Sequence, residues 1–160
     1  MQIKKYISQN ENETMAFAKK LASKLKPNDC LALVGDFGAG KTTFVKGLAC
    51  GLGFKKKNYV CSPSFVILKI YKARMPIFHF DLYRLQNLKD IQNIGLDECT
   101  GVGGVTVIEW AERLEGLLPE NHVKILFSVL GPTKRGIKLI WPKLKKKAKK
   151  WFLLKVEWMA

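Results

Sequence analysis

The chain has 160 residues, of which 48% are apolar, and it carries a formal net charge of +15. This length predicts one folded domain. The sequence has no run near the roughly 20 apolar residues of a membrane span and no signal-peptide pattern, which predicts a cytoplasmic protein that does not enter a membrane. The basic charge favours polyanions such as nucleotide phosphates and RNA, while four scattered cysteines and two histidines form neither a zinc-binding nor a redox pattern.

The first predicted elements are an edge strand at residues 2–8 and an amphipathic helix. Ser8-x-x-Glu11 resembles a capping box, which marks a helix start. A stripe of apolar residues then repeats at helical spacing: Met15, Ala18, Leu21, Ala22 and Leu25. We expect this helix to end near Pro27 and to pack its stripe against a sheet.

A phosphate-binding loop is predicted at residues 35–42, between a buried strand at 30–34 and a helix at 43–52. The nucleotide-binding residues predicted here are Gly35, Asp36, Phe37, Gly38, Ala39, Gly40, Lys41, Thr42 and Thr43. In such a P-loop, glycines bring backbone N–H groups against phosphate oxygens at the start of the helix. Lys41 then reaches the β- and γ-phosphates, and the Thr42 hydroxyl binds the Mg²⁺ that bridges them.

The next segment carries two hydroxyls and leads into a predicted hairpin. Ser62-Pro63-Ser64-Phe65 lies where P-loop proteins place a segment that senses the γ-phosphate, so Ser64 is assigned to the nucleotide site. Strands at 66–71 and 77–80 are expected to pair antiparallel across a turn at 73–76.

Two later apolar strands end in carboxylates. Asp81 follows strand 77–80, which is the Walker-B arrangement for a carboxylate beside Mg²⁺. Glu109, followed by Trp110, ends a second buried strand that starts at Val105. The sequence therefore presents two carboxylates as candidates for the phosphate site.

The remaining pattern completes an α/β fold with a mixed sheet, of the three-layer P-loop NTPase type. Short helices are predicted at 87–93 and 111–118, and strands at 123–130 and 137–141 form a second hairpin. We place the domain at residues 1–142. Residues 143–160 form a basic C-terminal tail that holds seven lysines and one glutamate.

Four motifs in this order resemble the bacterial TsaE (YjeE) family of small P-loop ATPases: Gly35–Thr42, Ser62–Phe65, Phe80–Arg84 and Ile108–Trp110. The resemblance covers about residues 10–141. It implies a role in the threonylcarbamoyl modification of the adenosine beside the anticodon, in tRNAs that read codons beginning with A. The resemblance also implies that the chain is an accessory ATPase, which would bind the TsaB–TsaD pair and sustain its cycle by turning over ATP.

By the same resemblance, Lys41 would bind phosphate, while Thr42 and Asp81 would hold Mg²⁺. Glu109 would lie at the metal and position or activate the attacking water, with Trp110 beside the site. Ser64 stands where the family usually has threonine, and a hydroxyl is retained. The tail matches no family pattern, and contact with tRNA, direct or indirect, stays open.

Two other functions fit a P-loop on a basic chain: a small-molecule kinase and a nucleotide-regulated RNA-binding module. A kinase needs a lid that carries arginines, and the four arginines of this sequence are scattered. An RNA-binding module has no need for carboxylates beside phosphates, because these are useful mainly where a metal is present.

Overall fold

The structure is a computed structural model that describes residues 2–114 and 116–142. Its strands are β1 (Gln2–Ser8), β2 (Cys30–Val34), β3 (Leu68–Tyr71), β4 (Ile77–Asp81), β5 (Val105–Glu109), β6 (Val123–Val129) and β7 (Arg135–Trp141). Its α-helices are α1 (Glu11–Ala22), α2 (Lys41–Gly51), α3 (Leu88–Gln92) and α4 (Leu96–Cys99), and one-turn 3₁₀ helices lie at Lys57–Tyr59 and Ala111–Leu114. No helix within the described ranges is both long and apolar enough to span a bilayer.

The seven strands form one mixed sheet in the order β1-β7-β6-β2-β5-β4-β3. The four central strands β6, β2, β5 and β4 are parallel to one another, whereas β3, β7 and β1 pair antiparallel with their neighbours. The central strands β4 and β5 are buried along their whole length, because helices cover both faces there. The predicted α/β fold with a mixed sheet and both predicted hairpins are confirmed.

Helices form a layer on each face of the sheet. On one face, α1 and α2 pack on alternate residues of the central strands, with Phe44, Leu48 and Leu33 among the fully buried side chains. On the other face, α3, α4 and the 3₁₀ helix at 111–114 cover a second cluster that includes Phe80 and Ile108. The alternation of side chains along β4 and β5 divides these two cores, and the P-loop lies on the side of α2.

Helix α1 begins and ends at different residues from those predicted. Its N-cap is Asn10, whose side chain accepts from Glu13 N at 3.0 Å, while Gln9 N donates to the Glu13 carboxylate at 2.8 Å. Ser8 instead remains in β1, with its buried hydroxyl bonded to Thr14 at 2.8 Å. The helix stops at Ala22, where the chain tightens into i→i+3 turns that still carry Leu25 into the core.

Two other predicted elements are shorter in the structure. Val66 N and Ile67 N both bond to the Pro63 carbonyl, and Ile67 takes a left-handed φ of 64°, so β3 begins only at Leu68. The helix predicted at 111–118 is a single 3₁₀ turn. The predicted tail at 143–160 lies outside the described residues.

Candidate nucleotide-binding site

The loop between β2 and α2 follows a path that only glycine accepts easily. Gly38 and Gly40 have φ of 72° and 98°, and Gly40 is the N-cap of α2 in a left-handed conformation. At Gly35, a Cβ would lie 2.8 Å from the Phe127 carbonyl oxygen. Glycine therefore lets the loop pack against β6 and turn into the N-terminus of α2, where the helix dipole attracts anions.

The ammonium group of Lys41 is held inside this loop. Its Nζ donates to the carbonyl oxygens of Gly35 at 2.5 Å and Asp36 at 2.9 Å, and it lies 4.0 Å from the centroid of the Trp110 ring. Burial lowers the pKa of Lys41, and nearby carboxylates, Glu109 foremost, oppose this shift. The loop thus fixes a positive charge at the wall of the cleft.

Parallel strands bring the two predicted carboxylates to the P-loop. In the β4–β5 register Asp81 pairs with Glu109, and in the β2–β5 register Glu109 pairs with Leu33, two residues before the loop begins. Both carboxylates are buried, and both lie at the carboxyl ends of parallel strands, where α/β sheets bind their ligands.

Glu109 is fixed by two side chains. The Thr42 hydroxyl lies 2.9 Å and 3.0 Å from its two carboxylate oxygens, and His79 Nε2 lies 2.9 Å from Oε1. Arg113 follows Glu109 by four residues, and its guanidinium donates to the Leu85 carbonyl, whereas Glu109 pairs with His79. Glu109 therefore faces the P-loop.

Asp81 is tied to the Ser62–Phe65 segment. Its carboxylate accepts from the Ser62 hydroxyl and, at 2.9 Å, from Tyr83 N. Ser64 N in turn donates to the Ser62 hydroxyl oxygen at 3.3 Å. A change in the position of this segment would therefore alter the hydrogen bond that the Asp81 carboxylate accepts.

These groups surround one cleft of about 520 Å³. The predicted site residues that line it are Phe37, Gly38, Ala39, Gly40, Lys41, Thr42, Thr43, Ser64, Asp81, Glu109 and Trp110. Gly35 and Asp36 do not line the cleft and contribute their carbonyl oxygens to Lys41 instead. Trp110 adopts a left-handed φ of 59°, a strained conformation of the kind that clusters at functional sites.

Sequence reasoning missed several residues of the site. Ser62 and Arg84 line the cleft, and the Arg84 guanidinium lies 4.0 Å from the Phe65 ring centroid. His79 supports Glu109, and its position two residues before Asp81 on a strand was a signal that both share one face. Arg135, which donates to the Gly38 carbonyl at 3.2 Å, lies 97 positions along the chain from its partner, and no local pattern indicates it.

A Gly-x-x-x-x-Gly-Lys-Thr loop between a central parallel strand and a helix, with a carboxylate at the end of the adjacent strand β5 and another at the end of β4 beyond it, defines a P-loop protein of the α/β class. Residues 8–137 match the profile of the family described as threonylcarbamoyl adenosine biosynthesis protein TsaE. The chain belongs to this family, so the resemblance seen in its motifs is confirmed.

Relatives cover most of the chain. It is 42% identical over 134 residues to the tRNA threonylcarbamoyladenosine biosynthesis protein TsaE of Bacillus subtilis, covering 83% of this chain and 82% of the relative. It is 40% identical over 131 residues to the protein of that name from Treponema pallidum, covering 82% and 96%. The crystal structure of Bacillus subtilis YdiB superposes with a TM-score of 0.77 at 33% identity, covering 99% of this chain and 97% of that one.

Proposed function

We propose that this protein is a Mg²⁺-dependent ATPase that serves the threonylcarbamoyl modification of adenosine beside the anticodon of tRNA. Its family and its relatives carry the name of that biosynthesis, which supports the pathway. The ATPase activity is inferred from the site. The observation that carries it is the convergence of Lys41, Thr42, Asp81 and Glu109 on one cleft.

The oxygen donors at the cleft fit Mg²⁺. Thr42 offers a hydroxyl and Asp81 a carboxylate, which are the hard ligands this ion takes, and Glu109 lies against Thr42. No cluster of three or more His, Cys, Asp or Glu side chains suited to a metal ion occurs in the described part of the chain, so phosphate oxygens and water would complete the shell. When bound, Mg²⁺ neutralises charge on the phosphates.

The two carboxylates would perform different tasks. Asp81 is short and bonded to Ser62, so it suits a metal contact that also responds to the position of the Ser62–Phe65 segment. Glu109 is longer, and its two oxygens lie beside Thr42 at the start of α2. It can reach a water next to the terminal phosphate, orient that water and accept its proton. Lys41 holds the phosphate from the loop side.

The partners proposed for the chain are the TsaB–TsaD pair, as its family membership suggests. ATP turnover would then drive a step of their cycle, while the transfer to tRNA takes place on the partners. The strongly basic charge is compatible with tRNA nearby, and the proposal does not require this chain to touch it.

The test is ATP hydrolysis by the purified chain, measured as phosphate release with and without TsaB–TsaD. We expect slow turnover alone and a clear increase with the pair, and Lys41→Ala serves as the inactive control. Hydrolysis that is absent under both conditions, or the appearance of a phosphorylated small molecule in place of free phosphate, would contradict the proposal.

A further inference from the structure

His79 is a fully buried polar side chain in the middle of β4 that the proposed chemistry does not use. Its neighbours in the sheet register are Val107 of β5 and Lys69 of β3. Because side chains alternate along a strand, His79 shares a face with Ile77 and Asp81, and this is the face that α2 covers.

Both ring nitrogens of His79 have partners. Nε2 lies 2.9 Å from Glu109 Oε1, and Nδ1 lies 3.3 Å from the Tyr71 hydroxyl. A carboxylate oxygen accepts the hydrogen bond, so Nε2 carries a proton and donates to Glu109, while Nδ1 faces the Tyr71 hydroxyl. Burial raises the pKa of Tyr71 to about 12, which keeps the hydroxyl proton available for donation.

The hydrogen bonds form a chain from Tyr71 through His79 to Glu109 and on to Thr42 of the P-loop. The Tyr71 hydroxyl also lies 3.3 Å from the carbonyl of Cys61, the residue before Ser62. One hydroxyl has one proton, so donation to Cys61 competes with donation to His79. The Tyr71 hydroxyl therefore lies between the hydrogen bonds of the cleft carboxylate and the base of the Ser62–Phe65 segment, which contacts Asp81.

We propose that His79 is a positioning residue for ATP hydrolysis, which holds Oε1 of Glu109 so that this carboxylate stays at Thr42 and faces the cleft. A free glutamate side chain loses rotamer entropy when it is ordered, and His79 offsets part of that cost by holding Glu109 in place before ATP binds. The inference rests on the proposed function, because it requires Glu109 to act in hydrolysis. The alternative is that His79 is only a satisfied core histidine.

Three substitutions separate these roles. In His79→Gln the amide nitrogen reaches the place of Nε2 and can still donate to Glu109. In His79→Asn the shorter amide takes the place of Nδ1, so a polar group stays buried but the donor to Glu109 is lost. Tyr71→Phe removes only the hydroxyl that contacts His79 Nδ1. This variant still tests the inference if both His79 variants unfold. His122→Asn, at the only other histidine, is the control for histidine loss away from the cleft.

The experiment measures kcat and KM for ATP in the presence of TsaB–TsaD, Mg²⁺-ATP affinity by calorimetry, and the melting temperature of each variant. We expect His79→Asn to lower kcat about 10- to 100-fold, as for other groups that orient a reacting side chain, with ATP affinity within about threefold of the parent. His79→Gln should recover most of kcat, Tyr71→Phe should lose severalfold, and His122→Asn should match the parent.

Two results would overturn this inference without affecting the proposed function. One is a parental kcat in a folded His79→Asn or, if that variant does not fold, in Tyr71→Phe. The other is a loss of kcat and ATP affinity that is equal in the Asn and Gln variants and follows their melting temperatures. If instead the parent hydrolyses no ATP with its partners, the proposed function is wrong and this inference fails with it.

Discussion

Gly47 lies where α1 and α2 touch, and its replacement by alanine tests the packing that places the P-loop helix. A Cβ at this position would lie 2.3 Å from the Met15 carbonyl oxygen and 2.6 Å from Met15 Cα. Ordinary van der Waals contact begins at 3.4 Å, so α1 would have to move away by about 1 Å. The atoms that the added Cβ would contact belong to the backbone, which cannot change conformation as a flexible side chain can.

The expected change in the free energy of unfolding is the balance of two effects. Alanine is favoured over glycine in a helix by about 1 kcal/mol, which alone would stabilise the protein. Overpacking a core costs about 1–3 kcal/mol, and a clash with backbone belongs at the upper end. We therefore expect Gly47→Ala to lower the free energy of unfolding by about 2 kcal/mol, and the melting temperature by about 4–8 °C.

Thermal and urea unfolding followed by circular dichroism measure this effect. Gly131→Ala is the control, because the nearest atom to its added Cβ is 3.6 Å away and its φ is not positive, so we expect a change within about 0.5 kcal/mol. A Gly47→Ala protein that is as stable as the parent would show that separating the two helices costs no more than the roughly 1 kcal/mol that alanine gains, and the reasoning would be wrong.

Further predictions concern the cleft and the tail. Lys41→Ala should abolish hydrolysis and weaken Mg²⁺-ATP binding by at least about tenfold while the protein stays folded, as calorimetry and circular dichroism would show. Glu109→Gln should leave Mg²⁺-ATP affinity nearly intact and lower turnover by about 10²–10⁴-fold; parental turnover would remove its role. Asp81→Asn should weaken the Mg²⁺ dependence of nucleotide binding together with the rate, which a Mg²⁺ titration measures. Removal of residues 143–160 deletes a net charge of +6, so binding to RNA should weaken and become less salt-dependent, with basal ATP hydrolysis unchanged.

The centre of the fold could be predicted because its signals are local. A continuous apolar run, a glycine pattern and a helical stripe follow one another between Cys30 and Leu52, and each maps to the element expected. Phe44, Val45 and Leu48 are buried as the helical spacing required. Consistency among these neighbouring signals leaves few alternatives.

The start of α1 could not be predicted, because two residues can cap it. Ser8 and Asn10 both have suitable side chains, and the choice depends on β1, which pairs with β7 over seven residues and keeps Ser8 opposite Arg135. That pairing joins segments far apart in the chain. The same limit applies to Arg135, whose place beside Gly38 depends on the order of strands in the sheet.

The candidate site could be predicted in its residue types but not in its contacts. Glu109 was expected near phosphate, and the structure gives its immediate partners as Thr42 and His79, which lie 67 and 30 positions away. The rule that strand residues two apart share a face connects His79 with Asp81. Nothing in the local sequence reveals that the imidazole contacts the neighbouring strand's carboxylate.

The pairing of Gln2 with Trp141 brings both ends of the described chain to one edge of the sheet. At the other end of the same two strands, Ser8 pairs with Arg135, which contacts the P-loop. Seven residues of strand separate these levels by about 20 Å. A tether, a fusion partner or a solid support joined near residue 2 or residue 142 would thus attach at the end of these strands opposite the P-loop. The cleft would then face away from the attachment point. Single-molecule or surface-based assays of nucleotide binding could use either attachment point, and force applied between the two would act first on the β1–β7 pairs, beginning at Gln2 and Trp141.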